Sequence, residues 1–252
     1  MLRVLIYALI FGCWLYTLVW DVRHMPVLYK SFWLAKIVWL TQFNFVLQTV
    51  YFGLCLVRSL VDQWAERPDA GSHRQRRAPP SYWPESRLHR TCDWIYAAGA
   101  FPIGLATCFL FWSLYLIDKN LVTPEWAEKI IPKWHNHMLH SAPIPFLLVD
   151  TLLVCHHMPP RKTALKVCSG LALLYFAIIY LVRYVDGFWL YPIFEFLSPL
   201  YRLLFLLAAA SAFQLLYLLG DLLNSALWGT ASHAPIESGG KQGVKKQRMK
   251  AK

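Results

Sequence analysis

The segment DWIYAAGAFPIGLATCFLFWSLYLI, residues 93–117, carries one charged side chain, at its first position. About 20 consecutive apolar residues are enough to cross a bilayer as a helix. Five further runs have the same character, some with polar interruptions: 2–20, 33–61, 138–158, 164–184 and 200–228. The sequence therefore predicts an all-α fold, a polytopic membrane helix bundle with about six transmembrane helices.

The composition of the whole chain agrees with this prediction and excludes a soluble protein. Of 252 residues, 57% are hydrophobic and 15% are charged, a balance typical of multi-pass membrane proteins. The length suits one bundle, which we assign to residues 1–229. Residues 230–252 mix glycines with lysines and are predicted to be a disordered basic tail. The aromatic segment 186–199 is interrupted by Gly187, Pro192 and Pro199, which predicts a re-entrant or interfacial piece.

The net charge of +11 is distributed unevenly, and this predicts the orientation in the membrane. Sixteen Lys and Arg residues fall on one predicted side: Arg3, Arg67, Arg74, Arg76, Arg77, Arg87, Arg90, Arg161, Lys162, Lys166, Lys241, Lys245, Lys246, Arg248, Lys250 and Lys252. Seven fall on the other: Arg23, Lys30, Lys119, Lys129, Lys133, Arg183 and Arg202. Because cytosolic loops carry the excess of positive charge, both termini are predicted to be cytosolic. We expect the basic loops and tail to contact anionic lipid headgroups rather than nucleic acid, in the endoplasmic reticulum or the plasma membrane.

Two polar side chains inside the apolar runs are candidates for chemistry. Thr41 lies early in the second run and His140 early in the fourth. Both runs enter the membrane from the non-cytosolic side, so the two residues are expected at similar depth. A polar side chain at membrane depth is costly and is a functional candidate by default. A Thr hydroxyl beside a neutral imidazole is a minimal set of groups for nucleophilic hydrolysis of an ester.

Other polar residues on the same helices leave two interpretations open. Asn44, Asn136 and His137 are possible donors to an oxyanion or to substrate. Asp150 would lie off the face of His140 on a straight helix, but Pro143 and Pro145 make this helix irregular, so Asp150 is a possible acid that orients His140. The alternative is that such side chains form hydrogen bonds between helices, as we expect for Asn44, Gln48 and Gln214. The spacing of the residues does not choose between these roles.

Five segments, taken in order, carry a resemblance to a known family: WLTQFNFVLQTVYFG (39–53), DWIYAAGAFPIG (93–104), the run 131–145 around NHMLHS, GFWLYPIFE (187–195) and YLLGDLLN (217–224). The chain resembles the family of androgen-induced protein and androgen-dependent tissue-factor-pathway-inhibitor-regulating protein. The resemblance implies a multi-pass membrane hydrolase that cleaves fatty acid esters of hydroxy fatty acids. It also implies that Thr41 is the nucleophile, that His140 is the catalytic His, and that the reaction needs no cofactor and no metal.

Two other functions compete with the hydrolase. A di-iron membrane oxidase needs several HxxxH and HxxHH boxes, but here Leu153 stands three residues before the His156-His157 pair, so no HxxHH box occurs. The second competitor is a non-catalytic membrane scaffold or receptor-like protein. In that case the polar residues would be structural, and the basic segments would recruit partners.

Overall fold

The computed structural model describes residues 1–25, 36–65, 86–123 and 129–229, and all regular structure in those ranges is helical. The helices are α1 (Leu2–His24), α2 (Leu40–Ala65), α3 (Arg87–Ile95), α4 (Phe101–Ile117), α5 (Lys133–His140), α6 (Pro143–Leu153), α7 (Arg161–Asp186), α8 (Ile193–Phe196) and α9 (Pro199–Trp228). A π-helical turn, Tyr96–Ala100, joins α3 to α4. The predicted all-α class is confirmed. The predicted tail, 230–252, lies outside the described residues.

Five of these helices are long and apolar enough to cross a membrane: α1, α2, the continuous stretch from α3 through α4, α7 and α9. They correspond to five of the six predicted runs. The helical boundaries differ from the runs, because a polar residue at a helix end does not stop the helix. The first run, for example, continues to His24 as helix α1.

The fourth apolar run, 138–158, is divided between two helices. Ser141 and Ala142 separate α5 from α6. Pro143 stands at the start of α6, where its missing N–H costs nothing, whereas inside a continuous helix it would remove a hydrogen bond. The sequence predicted this apolar segment, and Pro143 and Pro145 predicted an irregular helix within it. The structure places the break at Ser141 and Ala142 and ends α6 at Leu153, before the end of the run.

The pair α5–α6 nevertheless runs from one end of the bundle to the other. At its start, His135 Nε2 lies 3.4 Å from Asp21 Oδ1, near the end of α1. Near its finish, the carbonyl of Thr151 accepts a hydrogen bond of 2.9 Å from Trp228 Nε1, at the end of α9. With the five long helices, this broken pair completes an up-and-down arrangement.

Ion pairs join helix ends on each side of the bundle. Arg3 lies 3.0 Å from Asp62, so the start of α1 meets the end of α2, and His89 of α3 joins the same carboxylate at 2.7 Å. We call this side the Asp62 end. On the opposite side, Lys36 lies 2.9 Å from Asp21. Helix α2 begins four residues later, so we call this side the Thr41 end.

An aromatic and aliphatic core holds the first six helices together and extends to Cys168 of α7 and Tyr217 of α9. Trp14 of α1 is completely buried, and its ring lies 5.7 Å from Phe45 of α2 and 6.0 Å from Phe146 of α6. Helix α4 approaches its neighbours closely at Gly104, where an added Cβ would lie 2.7 Å from Leu147 Cδ1. A second cluster packs α7, the segment 189–194 and α9 against each other beside the start of α2. The candidate site lies next to this second cluster.

Candidate active site

Helix α2 begins with a cap supplied by other parts of the chain. The N–H of Leu40 donates to the hydroxyl of Tyr175 on α7, at 2.8 Å, and to the hydroxyl of Tyr191, at 3.2 Å. The first N–H groups of a helix have no partner within the helix, so these hydroxyls satisfy an otherwise open donor. The cap fixes the first turn of α2, and Thr41 is the second residue of that turn.

The last residue of α5, His140, is held on three sides. Its ring stacks on Phe111 of α4, with centroids 3.6 Å apart and an angle of 16° between the planes. Its backbone carbonyl accepts a hydrogen bond of 2.9 Å from Trp112 Nε1. Its Nδ1 lies 3.0 Å from the side-chain oxygen of Asn136 and 3.1 Å from the Asn136 carbonyl. The imidazole therefore has one fixed orientation.

These fixed groups place the hydroxyl of Thr41 against the ring of His140. Thr41 Oγ1 lies 3.2 Å from His140 Nε2, although the two residues are 99 positions apart in the chain. The two oxygens of Asn136 can only accept at Nδ1, so Nδ1 carries the proton of the neutral ring. Nε2 is then the acceptor that faces Thr41, which is the geometry a general base requires.

Thr41, His140 and Asn136 all line one cavity of about 580 Å³. Most of its other walls are apolar and come from α7, from the segment 188–194 and from α9. Leu174 of α7 lines the cavity and is more than half exposed, so this part of the cavity wall is not sealed within the core. The arrangement suits a long apolar ligand with one polar group at the Thr41 end.

Asn44, a predicted donor, lies one turn deeper in α2 and is buried away from the cavity wall. Its side-chain oxygen accepts from Gln48 Nε2 at 3.0 Å, and the same Nε2 donates to the carbonyl of Ala100 at 2.8 Å. Gln48 therefore joins α2 to the π-helical turn, as expected of a hydrogen bond between helices. Gln214 likewise joins α9 to α7 through Ser169, at 2.9 Å.

The structure does not bring His137 or Asp150 to the cavity. His137 is exposed, its Nδ1 lies 3.1 Å from Ser141 Oγ, and its ring stacks on Trp112. Asp150 is completely buried towards the Asp62 end. There it accepts from the hydroxyls of Tyr7 and Tyr51, both at 2.5 Å.

The carboxylate of Asp150 also lies 3.2 Å from His156 Nε2, so three partners occupy it. Asp150 therefore does not contact His140, and the expectation that it orients this ring is contradicted. The break at Pro143 turns α6 so that Asp150 faces α1 and α2. The contact with Nδ1 of His140 is made by Asn136, which was predicted as a donor to an oxyanion or to substrate.

Two functional candidates were missed at the sequence level, namely Tyr175 and Tyr191. Tyrosines are common near the ends of transmembrane helices, so neither residue stood out. Within the described ranges, no three His, Cys, Asp or Glu side chains group as metal ligands would.

Comparison with known proteins agrees with the resemblance seen in the sequence. The family described as FAR-17a/AIG1-like protein matches residues 3–225. The human androgen-induced gene 1 protein is 30% identical over 191 residues, which cover 76% of this chain and 77% of that protein. The mouse androgen-dependent TFPI-regulating protein is 31% identical over 192 residues, or 76% of each chain. No solved structure matches this chain.

The family match extends from the start of α1 almost to the end of α9, and it contains both Thr41 and His140. The match therefore includes every helix that positions the cavity. This chain is a membrane protein that belongs to the FAR-17a/AIG1-like protein family.

Proposed function

We propose that this protein is a membrane-embedded hydrolase that cleaves fatty acid esters of hydroxy fatty acids, with Thr41 as nucleophile and His140 as general base. The observation that carries the proposal is the 3.2 Å contact between Thr41 Oγ1 and His140 Nε2 at the wall of an apolar cavity. The substrate class comes from the family resemblance. The apolar lining fits that class because both products of the reaction have long hydrocarbon chains.

The reaction proceeds in two halves that share one base. Thr41 Oγ1 attacks the ester carbonyl carbon while His140 Nε2 takes the hydroxyl proton. The intermediate breaks its bond to the oxygen of the hydroxy fatty acid, and that oxygen receives the proton from His140. Water then attacks the acyl-Thr41 ester as His140 takes one of its protons. The fatty acid leaves, and the proton returns to Thr41.

The surroundings of His140 suit this repeated proton transfer. The ring is buried, and burial favours the neutral imidazole that can accept a proton. Asn136 at Nδ1 keeps the second ring nitrogen pointed at Thr41 through both halves. The reaction consumes only water, so it requires no cofactor.

We also propose that the Asp62 end faces the cytosol and that the basic segments there contact anionic lipid. Arg161, at the start of α7 on this side, lies 2.6 Å from Asp221 with its side chain largely exposed. The Thr41 end, with the cavity, would then face the lumen or the cell exterior. The proposal rests on the unequal distribution of Lys and Arg along the chain.

The test is hydrolysis of a defined fatty acid ester of a hydroxy fatty acid by the purified protein in lipid nanodiscs, with both products measured by mass spectrometry. Thr41→Ala and His140→Ala are each expected to lose about 10⁴-fold in kcat or more. Thr49→Ala is the matched control, because its hydroxyl lies on the same helix and donates to the Phe45 carbonyl at 2.9 Å. It is expected to keep full activity.

A fluorophosphonate probe provides a second measurement, since it attaches to an activated hydroxyl with loss of fluoride. Labelling should occur in the unmodified chain and in Thr49→Ala, and it should disappear in Thr41→Ala. Hydrolysis or labelling that persists in Thr41→Ala would refute Thr41 as the nucleophile. An unmodified chain that is well folded and hydrolyses no such ester would favour the non-catalytic scaffold.

A further inference from the structure

Two tyrosine hydroxyls meet beside Thr41, and the proposed chemistry does not yet use them. Tyr175 comes from α7 and Tyr191 from the segment before α8, and their oxygens are 2.5 Å apart. Both oxygens contact the N–H of Leu40, the residue before Thr41. Both side chains line the cavity that Thr41 and His140 also line. We call Tyr175 and Tyr191 the tyrosine pair.

One of the two hydroxyl hydrogens of the tyrosine pair has no acceptor among the described residues. Each phenol has a single O–H, and the Leu40 N–H can only donate to them. One hydroxyl donates to the other oxygen across the 2.5 Å contact. The O–H of the second tyrosine has no acceptor among the described residues, and it is free to donate to a ligand in the cavity.

The surroundings strengthen this free donor. The Leu40 N–H and the first hydroxyl both donate towards phenol oxygens, and a hydroxyl that already accepts hydrogen bonds becomes a better donor. The first turn of α2 also carries the partial positive charge of the helix dipole, so negative charge beside it is stabilised. Capping Leu40 alone would need only one hydroxyl, so the second adds a donor beyond what the helix requires.

We propose that the tyrosine pair donates a hydrogen bond to the ester carbonyl oxygen as that oxygen becomes negative during attack by Thr41. The proposal rests on the hydrolase function proposed above, and it supplies the oxyanion stabiliser which that mechanism lacks. Asn44 and His137 do not line the cavity, whereas the tyrosine pair, Asn136, Gln42 and Lys36 do. Asn136 already holds the ring of His140, and Lys36 is paired with Asp21. The tyrosine pair has a free hydroxyl hydrogen and is fixed to the residue before Thr41, which favours it over Gln42.

The test compares Tyr175→Phe, Tyr191→Phe and the double variant with the unmodified chain. The double variant removes both hydroxyls, and kcat is expected to fall about 10²- to 10³-fold with KM little changed. Each single variant leaves one hydroxyl that accepts from Leu40 and keeps its own hydrogen free, but it loses the partner hydroxyl that strengthens and positions this donor, so kcat is expected to fall measurably but by less than in the double variant. Tyr180→Phe is the matched control, because Tyr180 lies on α7 and does not line the cavity. It should keep full activity.

The thermal unfolding midpoint of each variant in nanodiscs separates a structural role from a chemical one. A double variant that unfolds earlier but has the kcat of the unmodified chain per folded molecule would show that the pair only caps α2, and it would overturn the proposal. A rise in KM with kcat unchanged would also overturn it, because the donor would then bind ground state and transition state alike.

If the double variant does not fold, the single variants decide the question. A fall in kcat in either one, at normal stability, supports the proposal, and normal kcat in both overturns it. Thr41→Ala separates a failure of this inference from a failure of the proposed hydrolase function. If Thr41→Ala is inactive while the tyrosine variants are normal, only this inference fails. If Thr41→Ala is active, the proposed function fails.

Discussion

Removing the side chain of Asn136 tests whether the orientation of His140 limits catalysis. Asn136→Ala deletes the 3.0 Å contact from Nδ1 to the side-chain oxygen but keeps the 3.1 Å contact to the backbone carbonyl. A hydrogen bond of this kind contributes about 0.5–1.5 kcal/mol. At 1.36 kcal/mol per tenfold change in rate, kcat should fall about 2- to 13-fold. The loss is partial because the carbonyl still fixes the tautomer, and the Phe111 stack still holds the ring.

The assay is single-turnover hydrolysis in nanodiscs, measured for Asn136→Ala, for His140→Ala and for both together. Because Asn136 acts through His140, adding Asn136→Ala to His140→Ala should cause no further loss. A further fall in the double variant would show that Asn136 contacts substrate directly. If Asn136→Ala alone lowers kcat as much as His140→Ala does, the positioning role is refuted. It is also refuted if Asn136→Ala leaves kcat unchanged.

Three other predictions concern stability and orientation. Asp150→Ala removes the acceptor of two tyrosine hydroxyls and the partner of His156 Nε2 in the core, so the unfolding free energy should fall by about 3–5 kcal/mol with kcat per folded molecule unchanged; a loss of kcat without a loss of stability would return Asp150 to the active site. Gly104→Ala places a Cβ 2.7 Å from Leu147, so the unfolding free energy measured by denaturation should fall by about 1–3 kcal/mol. An unchanged unfolding midpoint would contradict the close packing of α4. A cysteine introduced in 241–252 should react with a membrane-impermeant maleimide only after permeabilisation of cells, and labelling of intact cells would reverse the proposed orientation.

The sequence predicted the position of Thr41 and His140 better than the roles of their neighbours. Polar side chains in apolar runs cost free energy at membrane depth, so they are candidates by residue type. Two helices that enter the membrane from the same side hold their first turns at the same depth, so Thr41 and His140 could be expected to lie near each other. The contact between them is present in the structure, while their catalytic roles stay a prediction. Asn136 was identified as a polar candidate, but its contact with Nδ1 depends on the local turn of α5.

Residues whose partners come from distant helices were harder to assign. The irregular helix that Pro143 and Pro145 predict left open a contact between Asp150 and His140, but Asp150 binds Tyr7, which is 143 positions away in the chain. The break before Pro143 changes the direction of the following helix, and helical spacing cannot be carried across such a break. Tyr175 and Tyr191 meet only because α7 and the segment 187–196 fold over the start of α2. No local sequence pattern predicts this long-range contact.

The groups proposed to react and the cavity walls come from different parts of the fold. Thr41 and His140 stand on α2 and α5, whereas α7, the segment 188–194 and α9 form most of the apolar lining. Substitutions in those walls can lengthen, narrow or bend the space for the hydrocarbon without displacing the hydroxyl or the imidazole. Gene duplication followed by drift in α7 and α9 would therefore be enough to produce paralogues with distinct chain-length preferences and an unaltered chemical step.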